Sequence, residues 1–146
     1  MASWAEFEAA EPKFASRVRK LMGARKHLTM ATLRRDGAPR ISGTEVQFVG
    51  KQLQIGSMPG AVKAIDLRRD SRVAIHGPTS DPAKSGKWRG EAKVAGQAIE
   101  VRTTRKAHTF RIDIQEVVVT GLNAKGDALT IESWSPVHGY RSRERA

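Results

Sequence analysis

The spacing of hydrophobic and polar positions changes once, near residue 27, and that change divides the chain. Over residues 3–22 apolar residues recur at roughly helical intervals, at Trp4, Phe7, Phe14, Val18 and Leu21. Ser3 followed by Glu6 has capping-box spacing, and Pro12 interrupts the pattern, so this segment predicts two short helices or one kinked helix. From His27 the period is two. His27 to Leu33 predicts a strand, Arg34-Arg35-Asp36-Gly37 a turn, Pro39 to Val49 a long second strand, and Gln52 to Ser57 a third after the tight connection Gly50-Lys51. Together these three predict an antiparallel meander.

Met58-Pro59-Gly60 breaks the third strand, and Ala61 to Arg69 predicts a short helix. Val62 and Ile65 form an i,i+3 apolar pair expected to turn inward, with Leu67 off that stripe and Asp66 at its edge. Arg72 to His76 predicts a fourth strand, and residues 77–87 a polar loop. Further strands are predicted at Trp88 to Val101, Phe110 to Thr120 and Ala128 to Trp134, with a hairpin turn at Asn123 to Asp127. Ser135 to Ala146 reads as a basic tail. Many antiparallel strands with one inserted helix predict a mainly β fold, a closed or nearly closed barrel of six to seven strands with short helices. The expected organisation is an N-terminal helical segment (1–26), a barrel domain (27–134) and the tail (135–146), without repeats or low-complexity stretches.

Composition narrows the chemistry. The 146 residues fit a single domain large enough to bury a core without staples. With 26 Lys+Arg against 15 Asp+Glu the net charge is +11, which implies an anionic partner: nucleic acid, a membrane surface or a phosphorylated small molecule. The absence of cysteine excludes a disulfide framework, a thiolate nucleophile, an iron–sulfur cluster and Cys-ligated zinc. The first eight residues lack the basic and apolar regions of a signal peptide, and no run approaches the roughly 18 apolar residues of a membrane span. A soluble, cytoplasmic protein without a membrane partner is therefore expected. His27, His76, His108 and His138 stand far apart with no ligand-spaced partner, so no metal site is expected, and each reads as an ordinary strand or loop histidine.

Catalytic motifs are few. In Gly56-Ser57-Met58-Pro59-Gly60 the serine sits one position early for a nucleophile elbow. Ser85-Gly86-Lys87-Trp88 lacks the glycine and the Ser/Thr of a P-loop and precedes a strand. What remains is a strand-turn-helix junction: Ser57 ends a strand, and Lys63 lies in the first turn of the following helix. A hydroxyl, an ammonium and free N–H groups make a phosphate cradle, to which Arg40 on the adjacent strand could add a forked contact. The alternative is a Ser/Gly turn with a solvated lysine.

Ala31 to Ser42, then Leu53-Gln54-Ile55-Gly56-Ser57, then Lys63 to Ile75 resemble, in order and spacing, the pyridoxamine 5′-phosphate oxidase-like split-barrel family. Ala92 to Ala98 and Phe110-Arg111-Ile112-Asp113-Ile114 are similar to later strands of that family, so the likeness spans roughly residues 27–134. The resemblance implies an antiparallel split barrel working as a homodimer, with a flavin lying between subunits. It implies Arg40, Ser57 and Lys63 as phosphate ligands, Gly56 beside them, and Ser42 and Thr44 on the strand along which the isoalloxazine lies. The implied activity is hydride transfer through FMN, or through coenzyme F-420 as in related members, to an unknown small molecule. No side chain stands out as catalytic, Glu45 being only a weak candidate acid or base. The helix start Ala61-Val62-Lys63 departs from the family's polar Ser-Arg-Lys, Glu45 stands where a lysine is common, and Thr120 replaces an aromatic. These departures point away from pyridoxamine phosphate oxidation itself.

Two other readings use the same charge. One is a nucleic-acid-binding basic barrel, opposed by strands that lack interleaved aromatics and by charges spread over a turn, a helix start, a loop and a tail. The other is a flavin-binding protein without turnover. Trp88 and Trp134 are expected as core or interface anchors rather than ring-stacking groups, and Arg141, Arg143 and Arg145 as a solvated tail that could fold over a partner's cofactor or substrate.

Overall fold

The computed structural model describes residues 1–103 and 106–146. Two helices open the chain, α1 (Trp4–Ala10) and α2 (Pro12–Met22). Ser3 Oγ accepts the Glu6 N–H at 3.1 Å and caps α1, while Pro12 opens α2, where its missing N–H costs nothing. The proline therefore separates two helices and does not kink one.

Among the described residues nine strands and one further helix follow: β1 (Leu28–Leu33), β2 (Pro39–Thr44), β3 (Val46–Val49), β4 (Gln52–Ser57), α3 (Val62–Arg69), β5 (Arg72–His76), β6 (Glu91–Val101), β7 (His108–Leu122), β8 (Leu129–Ser135) and β9 (Gly139–Arg145). Every strand pair is antiparallel, in the order β2-β1-β5-β6-β7-β4-β3. The predicted strand 39–49 is thus two strands lying at opposite ends of that order. β2 pairs with β1 and β3 with β4, so the bend at Glu45 carries one segment from one edge of the sheet to the other. That bend closes the barrel. Both hairpins of the expected meander exist, but their shared strand is broken where it crosses the seam.

The core joins the helices to the barrel. Trp4, Phe7, Phe14, Val18 and Met22 from the helices are buried with Met30, Leu53, Ile75, Phe110 and Ile114 from the strands. An aromatic chain runs through it: Trp4 stacks edge-on to Phe7 and Phe48, Phe7 contacts Phe14 and Trp134, and Phe14 meets Tyr140. Trp134 is 6% exposed inside this cluster, whereas Trp88 is half-buried and donates its Nε1–H to the Ser80 carbonyl at 2.8 Å.

Two further expectations are corrected. Residues 139–145 are a strand, paired with β8 from Ser135↔Gly139 to Leu129↔Arg145. The turn is tied by the His138 N–H to Ser135 Oγ at 3.0 Å, and β9 is fastened to the core through Tyr140, which contacts Phe14 and donates to Glu132 at 2.5 Å. Helix α3 is turned the other way round from its apolar pattern. Ala64, Asp66 and Leu67 are buried, while Val62 and Ile65 are each 50% exposed. The cause is the Asp66 carboxylate, which three donors hold inside, as described below.

The longest pairing, β6 with β7, shifts register between Ala95 and Gly96. Glycine is required by close approach at this bulge: a Cβ on Gly96 would stand 2.0 Å from the Asp113 carbonyl oxygen. A backbone atom cannot swing aside. Gly96→Ala is expected to destabilise the fold by about 1–3 kcal/mol, as for other overpacked sites. Urea unfolding should show a lower midpoint with an unchanged slope.

Candidate functional site

The closing bend, the end of β4 and the turn into α3 enclose a cavity of about 790 Å³. Four of the six sequence-predicted binding residues line it: Thr44, Gly56, Ser57 and Lys63. Thr44 ends β2 and Gly56 and Ser57 end β4, so barrel closure brings them together. The turn Met58 to Gly60 needs a left-handed residue, and Gly60 supplies it at φ 72°. Lys63 then reaches back across the cavity mouth and donates from Nζ to the Gly43 carbonyl at 2.7 Å. Ser57 is almost buried, and its hydroxyl makes only a long contact of 3.4 Å with the Met58 carbonyl.

Arg40 and Ser42 are placed elsewhere. Ser42 lies within β2 opposite Met30. Arg40 directs its Nε onto Asp66 Oδ2 at 2.7 Å. The same oxygen accepts from Thr32 Oγ1 at 2.8 Å, and Asp66 Oδ1 accepts from Arg69 Nη2 at 2.9 Å. Arg69 Nη2 also donates to the Leu33 carbonyl. Burial pushes the Asp66 carboxyl up, yet the combined hydrogen bonds of Thr32, Arg40 and Arg69 outweigh it and hold the group below the usual carboxylate range.

The sequence reading missed His108, the first residue of β7, whose register partner is Ser57. Its Nε2 accepts the Gly60 N–H at 3.2 Å, and its Nδ1 lies 3.3 Å from Glu100 Oε1 and 3.0 Å from Arg68 Nη2. Arg68 clamps Glu100 with two bonds of 2.7 Å. Hydrogen bonding from Arg68, joined by that from His108, holds the Glu100 carboxyl down at about 2 against the opposing effect of burial. This chain fixes the turn between Ser57 and Lys63. Only pairing across three elements creates it, and no local spacing announces it.

Glu45 lines the same cavity within 3.6 Å of Lys26 Nζ and 3.9 Å of His27 Nδ1. A second cleft, of about 720 Å³, lies on the outer face of β1, β5 and β6, with Ile41, His76 and Lys93 in its walls.

The architecture matches known proteins at the level of fold. PhzG from Burkholderia lata 383, solved with tetrahydrophenazine-1-carboxylic acid, superposes with a TM-score of 0.63 at 9% identity, covering 96% of this chain and 89% of that one. A pyridoxamine 5′-phosphate oxidase-related, FMN-binding protein from Nostoc punctiforme PCC 73102 gives 0.61 at 12% identity, covering 100% and 98%. A heme-binding protein from Mycobacterium smegmatis gives 0.57 at 12% identity, covering 88% and 86%. No family model matches the sequence, and no curated protein matches it. The chain has the split-barrel fold of the pyridoxamine 5′-phosphate oxidase-like proteins.

The Asp66 cluster has a measurable signature. A carboxylate whose folded pKa is depressed contributes stability above its unfolded value, near 3.9, and loses it as pH falls through the folded value. Asp66→Asn is expected to cost roughly 3 kcal/mol at neutral pH, in the range for breaking a buried ion pair from one side. Its unfolding free energy should also fall less steeply than wild type below about pH 4, measured by denaturant titration across pH.

Proposed function

We propose that this chain binds a flavin, FMN or the deazaflavin F-420, in the cavity at the barrel seam, and acts as a homodimeric oxidoreductase on a small molecule. One observation carries the reading: closure of a split barrel gathers Thr44, Gly56, Ser57 and Lys63 around a single cavity of about 790 Å³. Its volume lies within the range of small-molecule and cofactor sites. The FMN-binding Nostoc protein, similar over the whole chain, supports the same reading.

The residues present fit a phosphate and a flat ring. Ser57 has a nearly unpaired hydroxyl at the cavity wall, and Lys63 supplies a cation whose present partner is a neutral carbonyl. These two would hold the phosphate. Thr44 and the backbone at Gly43 and Gly56 would flank the ring, and Ile55 and Val101 give apolar walls. Arg40, bound to Asp66, would not be a primary phosphate ligand. A bound flavin would supply the hydride chemistry, while the chain anchors it, orients it and excludes water.

Homodimerisation is supported by apolar side chains left in solvent. Met58, in the cavity wall, is 78% exposed, Val62 and Ile65 of α3 are half-exposed, and Ile41, in the wall of the second cleft, is 76% exposed. A second copy covering them would shield the cavity.

Visible absorption and fluorescence titration with FMN and, separately, F-420 test the proposal. A saturable spectral change with either supports it, and none with both overturns it. Lys63→Ala is expected to weaken the cofactor by about 1–3 kcal/mol, the range for a charge-assisted hydrogen bond. Ile41→Asp is expected to run as a monomer in light scattering while keeping its circular dichroism. An unchanged mass would remove Ile41 from the interface.

A further inference from the structure

Among the described residues β9 pairs with β8 alone, so it is an edge strand whose backbone groups on the other side are open. Its side chains are sorted by charge. Arg141, Arg143 and Arg145 stand on one face, and Tyr140, Ser142 and Glu144 on the other. The second face is anchored: Tyr140 and Glu132 tie it to Phe14 and to Arg17 of α2. The arginine face is not neutralised. Across the hairpin the three arginines meet Ser133, Ile131 and Leu129, and beyond those lie Val118, Thr120 and Leu122 of β7, with no carboxylate among them. Each arginine is exposed, and among the described residues none takes part in a salt bridge or side-chain hydrogen bond.

We infer that the free edge of β9 is a docking site for an extended acidic peptide of another protein, which adds as a further strand with Asp or Glu at alternate positions. An added strand shares the two-residue period of β9. Carboxylates at every second position therefore stand directly opposite Arg141, Arg143 and Arg145 at cross-strand distance, while the open N–H and C=O groups complete the ladder. A second copy of β9 is a poor occupant. Antiparallel pairing of two such edges sets arginine against arginine on the same face, and directly opposed like charges are destabilising. Single-stranded nucleic acid lacks its usual platform, since the side chains next to the stripe are aliphatic or small and none is aromatic. This inference is independent of the flavin reading.

The experiment is a fluorescence-anisotropy titration of the full chain with a labelled peptide of alternating Glu and Thr. It is run beside an isomer with the same composition but contiguous glutamates, a copy N-methylated at alternate backbone amides, and a labelled single-stranded oligonucleotide. Saturable binding of the alternating peptide is expected, about tenfold tighter than its isomer, which is within the range for three cross-strand charge pairs. The N-methylated copy should lose binding, and so should the protein variant R141Q/R143Q/R145Q. The peptide controls keep the test decisive even if that variant folds poorly. Equal binding of the two isomers, indifference to N-methylation, or tighter binding of the oligonucleotide overturns the inference in favour of a general polyanion surface.

Discussion

A carboxylate 2% exposed to solvent persists inside a protein only when its charge is answered, and Asp66 is answered three times. Thr32 belongs to β1, Arg40 to β2, and Arg69 to the same helix one turn on. The carboxylate therefore fixes which face of α3 meets the barrel. Helix position and barrel closure then follow together, because the strand that carries Arg40 is the one that bends across the seam. With Asp66 inward, Val62 and Ile65 must point outward, and Lys63 is aimed at the cavity mouth.

The same interaction reassigns charge. A net charge of +11 reads in the sequence as one diffuse property. In the folded chain many cations are committed locally: Arg17 to Glu132, Arg68 to Glu100, Arg72 to Asp70, and Arg40 and Arg69 to Asp66. Exposed pairs such as Arg72 with Asp70 add little to stability, but they remove those arginines from the set that could meet a ligand. Among the cations outside those pairs are Lys63 at the seam and the arginine row on β9. These lie on different elements and face different chemistry.

Alternation and helical spacing made most elements legible, since both are local properties of the chain. Pro12, Ser3 and the Asn123 to Asp127 turn acted as expected because their geometry depends on immediate neighbours. Most of the misses were non-local. Nothing near Glu45 marks a bend, since a straight strand differs from a shared one only in which edges it must reach. The i,i+3 pair Val62 and Ile65 outweighed Asp66 on periodicity, because the three donors that bury the acid come from residues 32, 40 and 69. β9 carried a visible period of two, but its polarity read as solvent exposure. The candidate site was legible where it depends on the strand-turn-helix, and illegible where Asp66 withdraws Arg40 and His108 ties the turn.

That withdrawal shapes how the seam cavity must work if a flavin occupies it. With Arg40 held by Asp66 and valine at position 62, anchoring falls to one hydroxyl, one ammonium and the backbone of a turn. Few contacts can hold an anion well only if they are already in place, since ordering them on binding would consume the gain. The Gly60–His108–Glu100–Arg68 chain supplies that order: a clamped carboxylate orients the imidazole, and the imidazole fixes the turn. A Glu100 held at about 2 stays ionised through the neutral range, so the carboxylate end of that support keeps its charge there. A flavin held there without Arg40 would rely on rigidity at the turn instead.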